Sequence, residues 1–439
     1  MKARRTLILG LVLVLAGLGT AAPAAGHDEG PPPPPTGEGP ASTANMHLLA
    51  HVNPGPGANA DVYGHRGYAY LASWAGWNCF GTGVRVYDLR NPERPEHVAT
   101  FGDAASEPSL ARTWTEKVVV QRVDTRSFHG DLAVVTFQTC DSHDTAAFRG
   151  FALYDVTRPA HPVPLARYSA PGTRGSHEVW LGAHGGKAYV YTAILRSEWT
   201  SSPTYDPATN TATTPGRADF RIVDVSDPLH PGDVGEWGAW KQLGVVPVEN
   251  PGSPYSGKQN FTHSVRVDER LTTAYLSYWD LGTVLLDIRD PAHPRYLGKT
   301  DPEQGAAHSS VVSPDGKLLI ETHEQLGGIP MIYDVADPGH PVEVAHFEVP
   351  AGEENSVHDP KLRGGRAYFS WYALGVVVAD VSHPGTPKIL GQFVPDDWTS
   401  NPDYCDYEGG CSEIWGVYLL GDLILASDMN NGLYVLRMS

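Results

Sequence analysis

The stretch Arg221-Ile-Val-Asp-Val-Ser-Asp-Pro-Leu-His-Pro231 recurs in close copies along most of the chain, and a repeat of this regularity constrains the fold before any other feature. Each copy is a short run of β-branched, aliphatic and aromatic residues ending in an aspartate: Asp88, Asp155, Asp224, Asp287, Asp334 and Asp380. A second apolar residue and a proline follow, and a further proline comes three residues later (Pro95, Pro162, Pro231, Pro294, Pro341, Pro387). The pattern is that of a strand stopped by a turn. The aspartate accepts from backbone N–H groups beyond the strand, and proline fixes φ and removes a donor, so the ladder cannot continue. The run Gly375-Val-Val-Val-Ala379 is apolar on both faces, as expected of a strand sandwiched between sheets.

These copies resemble the LVIVD-repeat family, whose repeats build β-propellers, and the resemblance spans roughly residues 46–439. It implies an all-β fold and leaves chemistry open, because propellers host enzymes, receptors and scaffolds alike. The segment Met46-His-Leu-Leu-Ala-His-Val52 looks like the strand that follows each proline turn but has no strand before it. The C-terminal Gly432-Leu-Tyr-Val-Leu436 looks like the strand that should precede it. Joined, they complete a last blade, giving a seven-bladed β-propeller closed by its N-terminal strand.

Residues 1–24 combine Lys2, Arg4 and Arg5 with an apolar run and a small-residue cleavage site, the pattern of a secretory signal peptide. The run is shorter than the ~20 residues a membrane span needs, and no later stretch is apolar and long enough. Residues 25–45 hold five consecutive prolines, Pro31 to Pro35, and read as an extended linker. A secreted, extracellular protein is expected. Cleavage removes three of the 32 basic residues and none of the 50 acidic ones, which takes the net charge from −18 to −21. Such a surface disfavours nucleic acid and anionic lipid. An extracellular small molecule, glycan or protein is the expected partner.

The long insertions, at 74–82, 137–149, 195–218, 238–261 and 394–412, all map to the face from which the chain enters each innermost strand, opposite the proline turns. That insertion face is the expected functional one. The four cysteines lie on these loops, and the favoured pairings are Cys79–Cys140, on adjacent blades, and Cys405–Cys411, close in sequence.

Blades three to six begin with His177-Glu-Val, His263-Ser-Val, His308-Ser-Ser-Val and His358-Asp-Pro, while blades one and seven place Asp61-Val and Ser412-Glu-Ile there. Equivalent positions converge on the axis, so the four histidines are expected to ring the channel mouth, where imidazoles suit a divalent transition metal such as Zn, Cu or Fe. His323-Glu324 ends a second strand facing the same mouth and completes the candidate metal set with His323. Glu178 and Asp359 are the candidate acid–base pair, and Asp61 and Glu413 are further polar contacts. His161, His230, His293 and His340 sit in the proline turns and are most simply turn residues. A structural brace between blades is the competing role for the ring histidines, but it would be expected in every blade, and blades one and seven lack one. Strand-end aromatics pack between blades, which leaves Trp77, Trp199 and Trp398 as ligand-facing candidates. No Gly-x-Ser-x-Gly elbow, P-loop, His-Glu-x-x-His or dinucleotide fingerprint is present. Two functions follow as expectations: a binding module using the insertion face, or a metal-dependent hydrolase or oxidoreductase built on the histidines.

Overall fold

A computed structural model describes residues 42–439 apart from 56–57, 75–78, 80, 82, 250–256, 326, 348–355 and 396–412. The N-terminal 1–24 and most of the linker, Trp77, Trp398, Cys405 and Cys411 lie outside the described residues.

The described strands form seven antiparallel sheets, which follow chain order from the innermost strand outward except in the last, and the second carries an extra short strand at 113–114. The innermost strands are Val62–His65, Val118–Asp124, Ser176–His184, Thr262–Val267, Ala307–Val312, Pro360–Arg363 and Ile414–Leu420. In the last sheet the order is 414–420, 423–428, 432–438 and then 46–52, so the N-terminal strand is the outermost. Met46 pairs with Met438 and Val52 with Leu433 across that seam. The closure expected from the sequence is therefore the closure observed.

The repeat acts locally as its residue types require. Each of the six strand-end aspartates accepts the backbone N–H two residues on: Arg90, Thr157, Ser226, Arg289, Ala336 and Ser382. The apolar residue after each aspartate donates its N–H back to the hairpin of the first two strands, as Leu89 does to Gly67 and Val225 to Ala188. It is buried each time. The turn thus ties the third strand to the blade interior and releases the chain toward the surface. Outermost strands are half wet, with Val342 57% exposed, whereas third strands such as Val376–Asp380 are apolar and buried on both faces. Burial of these β-branched side chains between blades, at roughly 1.5–3 kcal/mol each, is the main cohesive term.

Cys79 and Cys140 form a disulfide between loops of adjacent blades, as expected, with Cα atoms 6.0 Å apart. It closes a 61-residue separation, for which loop-closure entropy gives about 4 kcal/mol.

Removing the chain up to residue 52 strips the last blade of its outer strand and exposes 432–438 as an edge. The expected result in a calorimetric scan is a melting temperature lower by roughly 10 °C or a broadened transition; an unchanged scan would count against this seam as the closing contact.

Candidate functional site

The channel begins with a recurrent irregularity. In four blades the register between first and second strands slips by one residue at the start of the innermost strand, between Ser176 and Glu178, Thr262 and Ser264, Ala307 and Ser309, and Ile414 and Gly416. The residues skipped are His177, His263, His308 and Trp415. A bulge re-aims the extra side chain, and here it brings these four together with His358. Ring centroids step from His177 to His263 at 4.3 Å, to His308 at 4.2 Å, to His358 at 3.9 Å and to Trp415 at 4.2 Å. The four histidines predicted to converge do converge.

The imidazoles are held in defined orientations. His263 Nδ1 lies 3.2 Å from the carbonyl oxygen of His308, and His308 Nδ1 lies 3.0 Å from that of His358. A carbonyl only accepts, so each Nδ1 carries a proton, and in the neutral ring Nε2 is the nitrogen a metal would take. This is the tautomer a metal ligand needs, with its other nitrogen fixed by an outer partner. His263, His308 and Glu324 offer one donor atom each within 4.8 Å of one another, all three buried. His308 Nε2 lies 3.4 Å from Glu324 Oε2, and His358 Nε2 lies 3.9 Å from Glu324 Oε1. Tyr372 donates its hydroxyl to Glu324 Oε1. His177 Nε2 stands 2.8 Å from His263 Nε2, with Glu116 Oε2 2.9 Å and Gln138 Nε2 2.8 Å from its Nδ1.

His323 does not join this cluster. Its Nδ1 donates to Gly305 O at 2.8 Å and its Nε2 lies 3.1 Å from Glu321 Oε1. Successive residues at a strand end point to opposite sides, so Glu324 takes the place expected for His323.

One step further along the axis the chemistry changes to charge. Lys117 Nζ lies 2.9 Å from Asp61, 3.0 Å from Glu178 and 3.4 Å from Asp359. Arg266 spans Glu178 and Asp359 at 3.1 Å each, and Lys361 also pairs with Asp359. Burial alone would raise the carboxyl of Asp359, but Lys117, Lys361 and Arg266 outweigh it and hold it well below the usual carboxylate range. Glu178 is also lowered, burial being overcome by Lys117 and Arg266. Both stay ionised, and a carboxylate this weakly basic is a poor general base. Glu178 and Asp359, the expected acid–base pair, thus stand in the channel as ion-paired groups. Asp61 is in the same layer, 3% exposed, rather than on the insertion face. Gly416 completes the packing there, because a Cβ at that position would stand 2.5 Å from Asp61 Oδ1. Glu413 is buried, its N–H donating to Asp428 Oδ2 at 2.8 Å.

Two residues beyond this layer, on the same face of each innermost strand, come Tyr63, Val119, Trp180, Arg266, Val311, Lys361 and Tyr418, one from every blade. All line a cavity of roughly 360 Å³ toward the proline-turn side. The channel thus has two compartments separated by ion pairs.

Off the axis, the 195–218 insertion folds back on the blade. Trp199 is 3% exposed, packs on Trp240 at 5.6 Å and donates to Asn210 at 3.3 Å, so it is structural and not the exposed aromatic expected. Beside it Glu198 caps residues 239–243, accepting from Trp240 N and Lys241 N. Burial pushes the Glu198 carboxyl up to about 6, and burial with the neighbouring Glu198 raises Asp219 well above its ordinary value.

Lys117→Met leaves three buried carboxylates with too few cations, and a loss of about 3–5 kcal/mol by chemical denaturation is expected; a loss under 1 kcal/mol would mean that the layer is solvated. For the Glu198–Asp219 pair the folded values lie above the unfolded ones, so its contribution is complete at acid pH and is lost as pH rises through about 6. Asp219→Asn is therefore expected to raise the melting temperature relative to the parent more at pH 8 than at pH 5; an equal difference at both would remove the pair as the cause.

Residues 216–237 match the LVIVD repeat family. No curated protein matches the chain in sequence. Among solved structures it is similar to the computationally designed Ika8 protein, over 89% of this chain and 99% of that one, at 8% identity and a TM-score of 0.49. It is also similar to Chaetomium thermophilum Raptor, over 91% of this chain at 12% identity and a TM-score of 0.56, and it spans 30% of that longer chain. At such identity the likeness is one of fold alone. No helix among the described residues is long and apolar enough to cross a membrane. The chain is a seven-bladed β-propeller that carries the LVIVD repeat.

Proposed function

We propose that the protein is a secreted binding propeller with a divalent transition metal at its axial mouth, held by His263 Nε2, His308 Nε2 and Glu324, with His177 and His358 beside them. The observation that carries this reading is the group His263, His308 and Glu324, each with a donor atom within 4.8 Å of the others, while both imidazoles already bond backbone carbonyls through Nδ1. Ligand distances near 2.0–2.2 Å require this group to contract modestly, which side-chain rotation accomplishes. Two imidazoles and one carboxylate suit Zn or Fe, and a third imidazole from His358 or His177 widens the choice to Cu.

Binding, not turnover, is the reading preferred. Glu178 and Asp359 are tied into ion pairs, and neither provides a poised base beside the histidines. The signal-like residues 1–24 and the Cys79–Cys140 disulfide fit export to an oxidising compartment. The ion so held would face the insertion side, where an extracellular small molecule, glycan or protein completes its coordination.

Elemental analysis of the secreted protein, purified without chelator or affinity metal, is expected to give about one equivalent of Zn, Cu or Fe. A folded His263→Ala/His308→Ala variant should contain none, and Glu324→Gln should weaken retention against a chelator at least tenfold. A parent that stays metal-free after incubation with each ion would overturn the reading and leave the imidazoles as braces between blades.

A further inference from the structure

We propose that the cavity on the proline-turn side of the ion layer is a second binding site, built for a small organic acid with one anionic head and an aromatic or branched aliphatic body. The first ground is how the ion layer is presented. Lys117, Arg266 and Lys361 line the cavity, whereas Glu178 and Asp359, the carboxylates that pair with them, do not. The cations face the cavity with Glu178 and Asp359 behind them, and of their carboxylate partners only Asp61 reaches the lining. Lys117 and Arg266 are 4% and 5% exposed, so these are charges built into the fold and not surface residues.

The second ground is Asp61, the one carboxylate at this floor. Its Oδ2 meets Lys117, while its Oδ1 is buried without a hydrogen-bond partner. A buried oxygen left unpaired is destabilising, and a ligand group that supplies or shares a proton there relieves it. Burial also pushes the Asp61 carboxyl up, toward the form that can donate to an anion.

The walls decide the rest of the ligand. Trp180, Tyr63 and Tyr418 supply aromatic faces, and Val119 and Val311 supply aliphatic ones. Arg266 already stacks over the Trp180 ring at 5.6 Å, which leaves the head of a ligand near the guanidinium and its body along the indole. A volume of roughly 360 Å³ lies within the range of small-molecule sites. Asp268, Glu269 and Arg363 also line the cavity with charges of both signs, so charge selection falls to the floor. This site is separated from the histidine ring by the ion pairs and stands or falls independently of the metal.

The test is calorimetric titration of the full secreted chain with phenylacetate as probe, beside phenylacetamide, its neutral isostere. Phenylacetate is expected to bind saturably and at least tenfold more tightly than the amide. Lys361→Met should remove that preference, Val311→Trp should abolish binding of both by filling the cavity, and His263→Ala/His308→Ala should change neither. Folding of each variant is checked by its melting curve, and Val311→Trp alone suffices if Lys361→Met does not fold. No saturable binding to the folded parent, equal affinity for the two probes, or binding that survives Val311→Trp would overturn the proposal.

Discussion

Pairing of residues 46–52 with the last strand of the chain is the contact on which the rest of the molecule depends. A propeller blade has little stability alone, and its neighbours bury both of its faces only if the ring is complete. Closure also fixes the radius. The innermost strands then stand at a set distance from the axis, and side chains from residues as far apart in sequence as Asp61 and Asp359 meet around Lys117.

The axis is stratified. At the insertion side lie imidazoles with Glu324 and an indole, in the middle a layer of paired charges, and toward the proline turns a mixed compartment with aromatic walls. Buried ion pairs seldom add net stability over an apolar core, but removing one partner is costly. The middle layer therefore acts less as glue than as a partition that fixes which side chains face which compartment.

Much of this order was legible in the chain. The Asp–Pro turns, the closing strand, the Cys79–Cys140 bridge and the converging histidines all follow from local pattern and from the equivalence of blades. What was not legible has a common cause. Alternation along a strand says which residues share a face only while the register is regular, and the bulges shift that phase by one. Trp415 therefore occupies the ring in blade seven, where the sequence pointed to Ser412 and Glu413. The same sensitivity to phase put Glu324, and not His323, among the imidazoles. The ion layer was half legible: Asp61, Glu178 and Asp359 stood out beside the histidines, but their cations Lys117, Arg266 and Lys361 left no local signal, since they look like ordinary polar residues of half-wet strands. Trp199 was misplaced for a different reason: an insertion long enough to fold on itself makes its own small core.

The bulges have one more consequence. A residue in regular alternation serves its blade, and replacing it disturbs the packing between sheets. A bulged residue lies outside that alternation and is placed by its neighbours around the axis as well as by its blade. The positions of His177, His263, His308 and Trp415 thus form one ring across four blades, so that a change at any of them is felt first by the residues beside it on the axis.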